Sequence, residues 1–346
     1  KIQGSLASSF FSALESGSHC LYTKKTFFAY SVLKNCFSVF NFGKKKVEAF
    51  LRMGWSLRMW IVSILVLTQL VNGALCWGDA GHYAVCKIAQ SYFEEDTVVA
   101  VKKLLPESAN GELAAVCSWP DEIKKLPQWR WTSALHFADT PDYKCNYEYS
   151  RDCPKDWCVT GAIFNYTNQL MSTSENSQSI VHYNLTEALM FLSHYMGDIH
   201  QPLHEGFIGD LGGNKIKVHW YNQETNLHRV WDDMIIESAL ETYYNSSLPR
   251  MIHELQAKLK NGWSNDVPSW ESCQLNQTAC PNPYASESID LACKYAYRNA
   301  TAGTTLGDYY FVSRLPVVEK RLAQGGIRLA GTLNRIFSAK RKLARA

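Results

Sequence analysis

Two pairs of histidine and aspartate stand four residues apart in this chain: His194 with Asp198, and His228 with Asp232. On a helix, that spacing puts the imidazole and the carboxylate on the same face, where they converge. A single such pair is more often a hydrogen bond on a helix surface than a functional site. Two pairs in one chain favour a shared metal site, because imidazole nitrogen and carboxylate oxygen are ligands that Zn²⁺ takes.

Four more candidate ligands of the same types occur along the chain, namely His82, Asp121, His136 and His204. His204 stands just past the end of the helix predicted for the first pair, so we expect it to face the same site. Asp121 follows a proline that favours a helix start, where an N-cap is its common alternative role. For His136, in an apolar run, the alternative is a buried core histidine. Together these groups exceed the four ligands of one tetrahedral ion, so we predict a multi-zinc hydrolase.

A secretory signal is predicted immediately before Trp77. The basic Arg58 precedes a mostly apolar run over 60–70, and the small residues Ala74 and Cys76 come before the expected cut. The run is too short for a comfortable membrane span. Cleavage after Cys76 would give Trp77 a free α-amine, which is a further candidate zinc ligand. The alternative is that Trp77 only packs as the first core residue.

These signals divide the chain into four segments. Residues 53–76 are predicted to be the signal peptide, and residues 77–337 a single domain long enough to bury a full core. Residues 1–52 show no lasting periodicity, and we interpret them as translated upstream sequence or a spurious gene model, with a genuine extension as the alternative. Residues 338–346 are predicted to be a basic tail that is disordered or trimmed.

The bulk composition points to no particular activity. Hydrophobic residues make up 46% of the sequence, which is ordinary for a globular protein, and the formal net charge is +3. That charge is too small to indicate a nucleic-acid partner by itself. The function must therefore be predicted from the candidate site residues.

The cysteines and the acceptor sequons both indicate the secretory pathway. Of the 11 cysteines, three precede Trp77, and the even number that remains favours disulfides over zinc thiolates because no pair has Cys-x-x-Cys spacing. Five Asn-x-Ser/Thr sequons are predicted to be glycosylation sites. They begin at Asn165, Asn184, Asn245, Asn276 and Asn299. We therefore predict an extracellular or vacuolar glycoprotein.

Helical periodicity dominates the predicted domain, and no internal repeat is found. The fold class is predicted to be mostly α, with two irregular, cysteine-bearing segments over 142–158 and 262–283. A strand-like stretch over 216–220 has too few companions for a real sheet. Helices are predicted over 80–91, 97–105, 187–199 with Thr186 as N-cap, 227–240, 248–260, 289–299 and 317–336.

The motifs that carry these residues resemble the zinc-dependent single-strand-specific nucleases. That family comprises fungal secreted nucleases and plant bifunctional (class I) nucleases, and it is distantly related in fold to bacterial zinc phospholipase C. The resemblance runs from Trp77 to about Phe337, and the plant branch is the most similar. The matching runs are Trp77-Gly-Asp-Ala-Gly-His82, Ser118-Trp-Pro-Asp121, Leu135-His-Phe-Ala-Asp139, His194-Tyr-Met-Gly-Asp198, Gln201-Pro-Leu-His204, Gly212-Gly-Asn-Lys215 and Asn226-Leu-His-Arg-Val-Trp-Asp232.

The resemblance implies three zinc ions and a multi-helix fold of the zinc phospholipase C and single-strand nuclease type. It implies an endonuclease that hydrolyses single-stranded DNA and RNA to 5′-phosphorylated products and removes phosphate from 3′-nucleotides. The implied ligand sets are Asp121, His136, His194 and Asp198 for one ion; His204, His228 and Asp232 for the second; and the Trp77 amine and carbonyl, His82 and Asp198 for the third.

The resemblance also implies roles beside the ions. Asp121 would orient the attacking water, and Lys124 stands where the family usually has arginine, so it keeps the charge but loses the bidentate fork. Phe137 would stack on a nucleobase, with core packing as the alternative, while Asp139 would hydrogen-bond the base edge and Asn214 would contact substrate. His200, next to the cluster, is expected to support a ligand from outside.

The implied disulfides are Cys86–Cys117, Cys145–Cys293, Cys153–Cys158 and Cys273–Cys280. We expect a monomer with no stable protein partner and no membrane span in the mature chain. Two alternatives to the nuclease stay open: a zinc phospholipase C-like phosphodiesterase, and a catalytically silent zinc-binding secreted glycoprotein.

Overall fold

The computed structural model describes residues 77–172, 183–273 and 277–345. The predicted 1–52 extension, the signal peptide with its cut site, and the Asn276 sequon lie outside the described residues. Within them the fold is mostly α-helical, as predicted. The helices are α1 (Asp79–Gln90), α2 (Glu95–Leu104), α3 (Trp119–Ile123), α4 (Tyr149–Asp152), α5 (Val159–Met171), α6 (Leu185–Asp198), α7 (Leu227–Arg229, continuing through the π-helical turn Val230–Met234 and Ile235–Tyr243), α8 (Leu248–Lys260), α9 (Val267–Glu271), α10 (Pro281–Leu291, continuing through the π-helical turn Ala292–Ala296) and α11 (Asp308–Arg345).

Short 3₁₀ helices connect these elements. Two of them carry candidate ligands: Pro127–His136 ends on His136, and Pro202–Glu205 contains His204. The others are Glu107–Ala109, Leu113–Val116, Pro154–Asp156 and Ile208–Asp210.

The core forms around α6. Every side chain from Ala188 to Asp198 is buried, so this helix is surrounded on all sides. It packs against α5, and the long α11 packs against α1. The largest buried side chains include Trp77, Trp231 and Tyr195. The His194–Asp198 pair therefore lies in the centre of the domain and not on a helix surface.

Several helix boundaries differ from those predicted. Helix α8 has the predicted bounds, but α6 is capped by Asn184, whose side chain accepts from Glu187 N–H at 3.2 Å. Thr186 instead donates to the Leu104 carbonyl at 2.6 Å, because packing against α2 brings an acceptor to its hydroxyl. Helix α11 begins at Asp308 and continues through Pro316, so it starts nine residues before the predicted start at 317.

Other helices lie where irregular structure, or none, was predicted. Helix α5 was not predicted at all, because its N-cap is Cys158 and not a conventional capping residue. The segment 142–158 contains α4 and a 3₁₀ turn, and 262–283 contains α9 and the start of α10. Proline at the first helical positions lets α10 begin at Pro281, eight residues before the predicted start.

A small sheet forms despite the prediction that strands are too few. The strands are β1 (Lys217–Trp220), β2 (Gln223–Asn226) and β3 (Thr305–Leu306). Their order is β2-β1-β3, with β1 antiparallel to β2 and parallel to β3. Because β2 ends at Asn226 and α7 begins at Leu227, the sheet sets the position of the helix that carries His228 and Asp232.

The four implied disulfides are confirmed: Cys86–Cys117, Cys145–Cys293, Cys153–Cys158 and Cys273–Cys280. The first joins α1 to the turn that precedes α3, so it ties together two elements that carry candidate ligands. Among the described residues, no helix combines the length and the apolar character needed to cross a membrane.

Candidate metal centre

The eight predicted histidine and aspartate ligands meet in one buried region, although six separate elements supply them. All are buried except His228, whose side chain is 14% exposed. Within the described residues, three groups have ligand atoms close enough to hold a metal ion. These groups are His82, His194 and Asp198; Asp121, His136 and His194; and His204, His228 and Asp232.

Asp198 lies between the first two groups. Its Oδ2 is 3.2 Å from His194 Nε2 and 2.9 Å from His136 Nδ1. Its Oδ1 is 3.3 Å from His82 Nε2. The two carboxylate oxygens thus face different imidazoles, which is the geometry of a bridging ligand.

Asp121 belongs to the second group, with His136 and His194. It lies in the short helix α3, and its Oδ1 is 3.5 Å from both His136 Nδ1 and His194 Nε2. The same oxygen accepts from Lys124 Nζ at 2.6 Å. Asp121 is therefore a buried member of the cluster and not an N-cap, because Ser118 occupies that position.

The second pair stands on α7, with His228 in the segment Leu227–Arg229 and Asp232 in the π-helical turn that follows. His228 Nε2 lies 3.4 Å from Asp232 Oδ2, and His204 Nε2 lies 3.7 Å from Asp232 Oδ1. The His204 and His228 rings stack at 5.0 Å. The predicted convergence of His228 and Asp232 is present, but through a π turn, a feature that often marks functional sites.

Backbone carbonyls orient three of the imidazoles. The Nδ1–H of His194 donates to Cys117 O at 2.8 Å, that of His204 to His136 O at 2.7 Å, and that of His228 to Gly212 O at 2.6 Å. A carbonyl only accepts, so each neutral ring carries its lone pair on Nε2. Each Nε2 faces a carboxylate of the cluster. In metal sites, histidine ligands are oriented in the same way, by a hydrogen bond from the other ring nitrogen.

The cluster contains buried polar atoms that have no hydrogen-bond partner among the described residues. They include both ring nitrogens of His82, Oδ2 of Asp121, Oδ1 of Asp198 and Nε2 of His204. Each such atom costs about 1–3 kcal/mol when it stays unpaired. A divalent cation would satisfy these lone pairs together, so the residues present fit a metal centre.

The electrostatics at His194 and His204 favour positive charge, whereas burial lowers the pKa of His82, His136 and His228. Burial opposes charge on His194 and His204, yet Asp198 raises the pKa of His194 well above its usual value and that of His204 to about 9. Burial would likewise raise the pKa of the Asp198 carboxyl, but His194 and His204 hold it well below its usual value. Both directions reflect an excess of negative charge that metal ions would neutralise in place of protons.

Trp77 lies against this centre. Its indole is fully buried and donates from Nε1 to Gly197 O at 2.8 Å, one residue before Asp198. The next residue, Gly78, donates its N–H to Asp232 O at 3.0 Å. The start of the predicted domain is thereby held between the two helices that supply the histidine–aspartate pairs.

A cavity of about 340 Å³ opens beside the third group, and His204, His228 and Asp232 all line it. Phe137, which is 39% exposed, lines it together with Asp139, Asn214 and Lys124. Burial raises the pKa of Asp139 to about 7, so its carboxyl can donate as well as accept near neutral pH. Asn214 is held by donation from Nδ2 to Leu211 O at 2.9 Å. The three predicted substrate-binding residues and Lys124, which was predicted to be catalytic, therefore border one cavity next to the ligands.

Two residues of the centre were not predicted. Gln201 donates from Nε2 to Asp232 Oδ1 at 2.6 Å and so fixes a candidate ligand. Glu205 is fully buried, both its carboxylate oxygens lack partners among the described residues, and burial raises its pKa well above its usual value. Proximity to His204 in the sequence is the only signal that could have pointed to either residue.

The expectation that His200 supports a ligand is wrong. Its Nδ1 donates to Met196 O at 2.7 Å, and its Nε2 accepts from Arg328 at 3.0 Å. These contacts hold the His200 ring against α11. His200 stands six residues after His194, so the two side chains point in different directions.

Comparison with known proteins gives consistent matches over the described domain. The family model "S1/P1 Nuclease" matches residues 77–338. The chain is 78% identical to Endonuclease 5 of Arabidopsis thaliana, over 83% of this chain and 99% of that protein. It is 52% identical to Endonuclease 2 of Arabidopsis thaliana, over 75% of this chain and 90% of that protein. It is 34% identical to Nuclease S1 of Aspergillus oryzae, over 79% of this chain and 95% of that protein.

Proposed function

The chain belongs to the S1/P1 nuclease family and is a nucleic-acid hydrolase, and from that premise we propose that it is a three-zinc endonuclease. It hydrolyses single-stranded DNA and RNA to 5′-phosphorylated products and removes phosphate from 3′-nucleotides. The observation that carries the zinc centre is the set of buried imidazole nitrogens and carboxylate oxygens that lack partners among the described residues.

The proposed ligands divide into three sets. Asp121, His136, His194 and Asp198 hold one ion, and His204, His228 and Asp232 hold the second. The third is held by His82, Asp198 and the amine and carbonyl of Trp77 after signal cleavage. The two faces of Asp198, each toward different imidazoles, support its shared role.

Zinc, when bound, supplies a Lewis acid for the phosphate and lowers the pKa of a coordinated water toward neutrality. The chain's own residues position the reacting groups. Asp121 Oδ1 faces His136 and His194 and accepts from Lys124, so that oxygen would hold the ion, while Oδ2 would accept a hydrogen bond from the attacking water. The Lys124 ammonium brings a positive charge to the cavity, where the phosphate oxygens gain charge as the reaction proceeds.

Phe137, Asp139 and Asn214 select the substrate. Phe137 offers an exposed ring on which a base stacks, and stacking tolerates every base but requires an unpaired one. Asp139 hydrogen-bonds the base edge, and Asn214 contacts the nucleotide from the facing loop. Single strands are preferred without sequence specificity for this reason.

We also propose passage through the secretory pathway to an extracellular or vacuolar destination. Four disulfides and the exposure of Asn165, Asn184, Asn245 and Asn299 support that route. We expect the enzyme to act as a monomer, because residues of one chain supply every proposed ligand.

Metal analysis combined with zymography on single-stranded DNA and RNA tests the proposal. We expect about three zinc ions per processed chain and activity on both substrates that a chelator removes and zinc restores. An assay on phosphatidylcholine vesicles distinguishes the phospholipase alternative. A metal-free protein with undiminished nuclease activity, or a zinc-loaded protein active only on the vesicles, would contradict it.

A further inference from the structure

The 3₁₀ helix Pro127–His136 borders two cavities. Ser133 and His136 line the substrate cavity, whereas Trp131 and Leu135 line a larger one of about 720 Å³. Nothing in the proposed hydrolysis uses the larger cavity. We call it the tryptophan cavity; its lining includes Trp131, Tyr149, Trp157, Phe164 and Asn165.

Two of its aromatic rings are exposed yet held in place. Trp131 is 45% and Trp157 is 51% exposed, and their ring centroids are 5.9 Å apart. Trp157 belongs to the loop closed by the Cys153–Cys158 disulfide. Lys155 and Asp156 in that loop both have φ near +60°, a turn conformation that ordinary residues adopt only when the surroundings impose it. Aromatic faces kept rigid and open in a cavity of this size are typical of a binding site.

A glycan acceptor stands in the lining of this cavity. Gly161, Asn165 and Asn168 follow one face of α5 at spacings of four and three residues, and all three line the cavity. Asn165 is exposed and begins the sequon Asn165-Tyr166-Thr167. A sugar attached there starts at the edge of the aromatic surface.

We propose that the tryptophan cavity binds the inner sugars of an N-linked glycan on Asn165. Glycan transfer from a lipid-linked oligosaccharide forms a bond between Asn165 Nδ2 and C1 of N-acetylglucosamine. One Nδ2 proton is lost, and the lipid pyrophosphate is the leaving group. The C–H face of the sugar then packs on the indoles, and its hydroxyl and acetamido groups bond to Asp156, Lys155 and Asn168. The inference rests on the secretory route proposed above.

A nucleobase could also stack on these rings, but the charge of the cavity favours a sugar. Among the described lining residues, Lys155 is the only cationic side chain, and Asp156 next to it carries the opposite charge. A phosphate backbone requires a net positive track, whereas an uncharged sugar requires none. The sugar is also tethered within the lining, so it binds without loss of translational freedom.

Release of the glycan from the native enzyme tests the proposal. The full chain is produced in cells that add oligomannose glycans, and endoglycosidase H is applied while each sequon is followed by peptide mapping. Asn184, exposed at the start of α6, is the control within the same molecule. We expect the Asn165 glycan to be released roughly 3- to 10-fold more slowly than the Asn184 glycan, the range that one aromatic contact accounts for.

Trp157→Ala and, independently, Trp131→Ala are expected to remove that difference, whereas Tyr309→Ala, which removes a 76% exposed ring on α11, is expected to leave it. Equal release rates in the unmodified enzyme would overturn the inference, as would an unoccupied Asn165 beside an occupied Asn184. The cavity would be assigned to nucleic acid by two results together. Trp157→Ala would weaken the binding of a single-stranded oligonucleotide in an Asn165→Gln background, and it would leave the rate of glycan release unchanged in the glycosylated enzyme. Absence of glycan at all four described sequons would instead contradict the secretory route itself.

Discussion

Two buried polar clusters lie on either side of the end of α6, and they differ in how their hydrogen bonds are satisfied. In the metal centre, ring nitrogens and carboxylate oxygens lack partners among the described residues. On the other side is the arginine cluster, which consists of Arg321 and Arg328 of α11, Glu287 and Ser288 of α10, and His200.

Hydrogen bonds join most of the polar side-chain atoms of the arginine cluster; among the described residues Arg328 Nε lacks a partner, and the Glu287 side chain is 42% exposed. All three guanidinium nitrogens of Arg321 donate: Nε to His200 O at 3.0 Å, Nη1 to Glu287 at 2.8 Å and Nη2 to Ser288 Oγ at 2.6 Å. Arg328 makes a bidentate pair with Glu287 at 2.6 and 2.7 Å. The carbonyl of His200 is thus held two residues after Asp198, so this cluster positions the end of the ligand helix.

The difference identifies which cluster needs an added partner. Charged side chains that pair with one another help to fix how the helices pack, and they need no ligand from solution. The buried ring nitrogens and carboxylate oxygens that lack a hydrogen-bond partner stay costly until a cation binds. Removal of metal should therefore disable one cluster only, whereas changes to the arginine cluster should act on stability first.

The largest effect is expected from removing the metal. Exhaustive chelation should abolish hydrolysis of single-stranded DNA and RNA and lower the free energy of unfolding by at least about 3 kcal/mol, since each ion binds only the folded state at well above its Kd. Activity and thermal unfolding are measured before and after, with zinc added back as the control. A protein that contains no zinc and is still fully active and equally stable would show that these unpaired atoms do not bind a metal ion.

Within the metal centre, Asp198→Asn should be more damaging than Asp232→Asn. Asp198 faces imidazoles of two groups, whereas Asp232 serves one. We expect a loss of turnover well above the roughly 100-fold that supporting residues cost, together with lower zinc content. Zinc analysis beside kcat measures both, and equal residual activity with full zinc in the two variants would contradict a bridging Asp198.

The role of Trp77 is tested by one added residue. A chain that begins at Trp77 and one with a single glycine before it have the same buried indole, but only the first has an α-amine at residue 77. We expect the extended form to lose about one zinc per chain and most of its turnover, because the lost ion belongs to the water-activating pair. If the two forms match in zinc and activity, Trp77 acts by packing alone.

In the arginine cluster, Arg321→Met should destabilise the protein by roughly 2–5 kcal/mol, since it removes the buried donor to His200 O and to Ser288 Oγ, while Arg328 still pairs with Glu287. Lys320→Met is the matched control, because that side chain is 44% exposed. Denaturant unfolding measures the effect. The zinc content of the folded fraction should stay unchanged; a variant as stable as its control would show that the cluster does not hold the fold.

The smallest effect is expected from pH at Glu287. Burial acts to raise its pKa, but Arg328 and Arg321 hold it below its usual value of 4.5. Its contribution to stability is therefore complete above pH 4.5 and is lost as the pH falls through the lowered pKa. Glu287→Gln should lower the melting temperature at pH 7 and have less effect at pH 3. A difference that does not change with pH would indicate a packing defect instead of lost charge.

The sequence alone predicted the chemistry of the metal centre because helix geometry is local. A spacing of four residues brings His194 to Asp198 on any regular helix, and it still brings His228 to Asp232 through a π turn. Residue types then limited the cluster to ligands that zinc takes. The disulfide pairs were predicted only through family resemblance, since spacing does not determine connectivity.

Tertiary packing determined the contacts between segments that are distant in the sequence. It turned His200 away from the centre toward Arg328, supplied Leu104 as the acceptor for Thr186, and used Gln201 to fix Asp232. It also set Trp131 and Trp157 side by side at the rim that carries Asn165. Each of these contacts joins elements whose relative placement depends on burial summed over the whole domain. For that reason the local sequence determined which residues could do chemistry, and the packed core determined which of them meet.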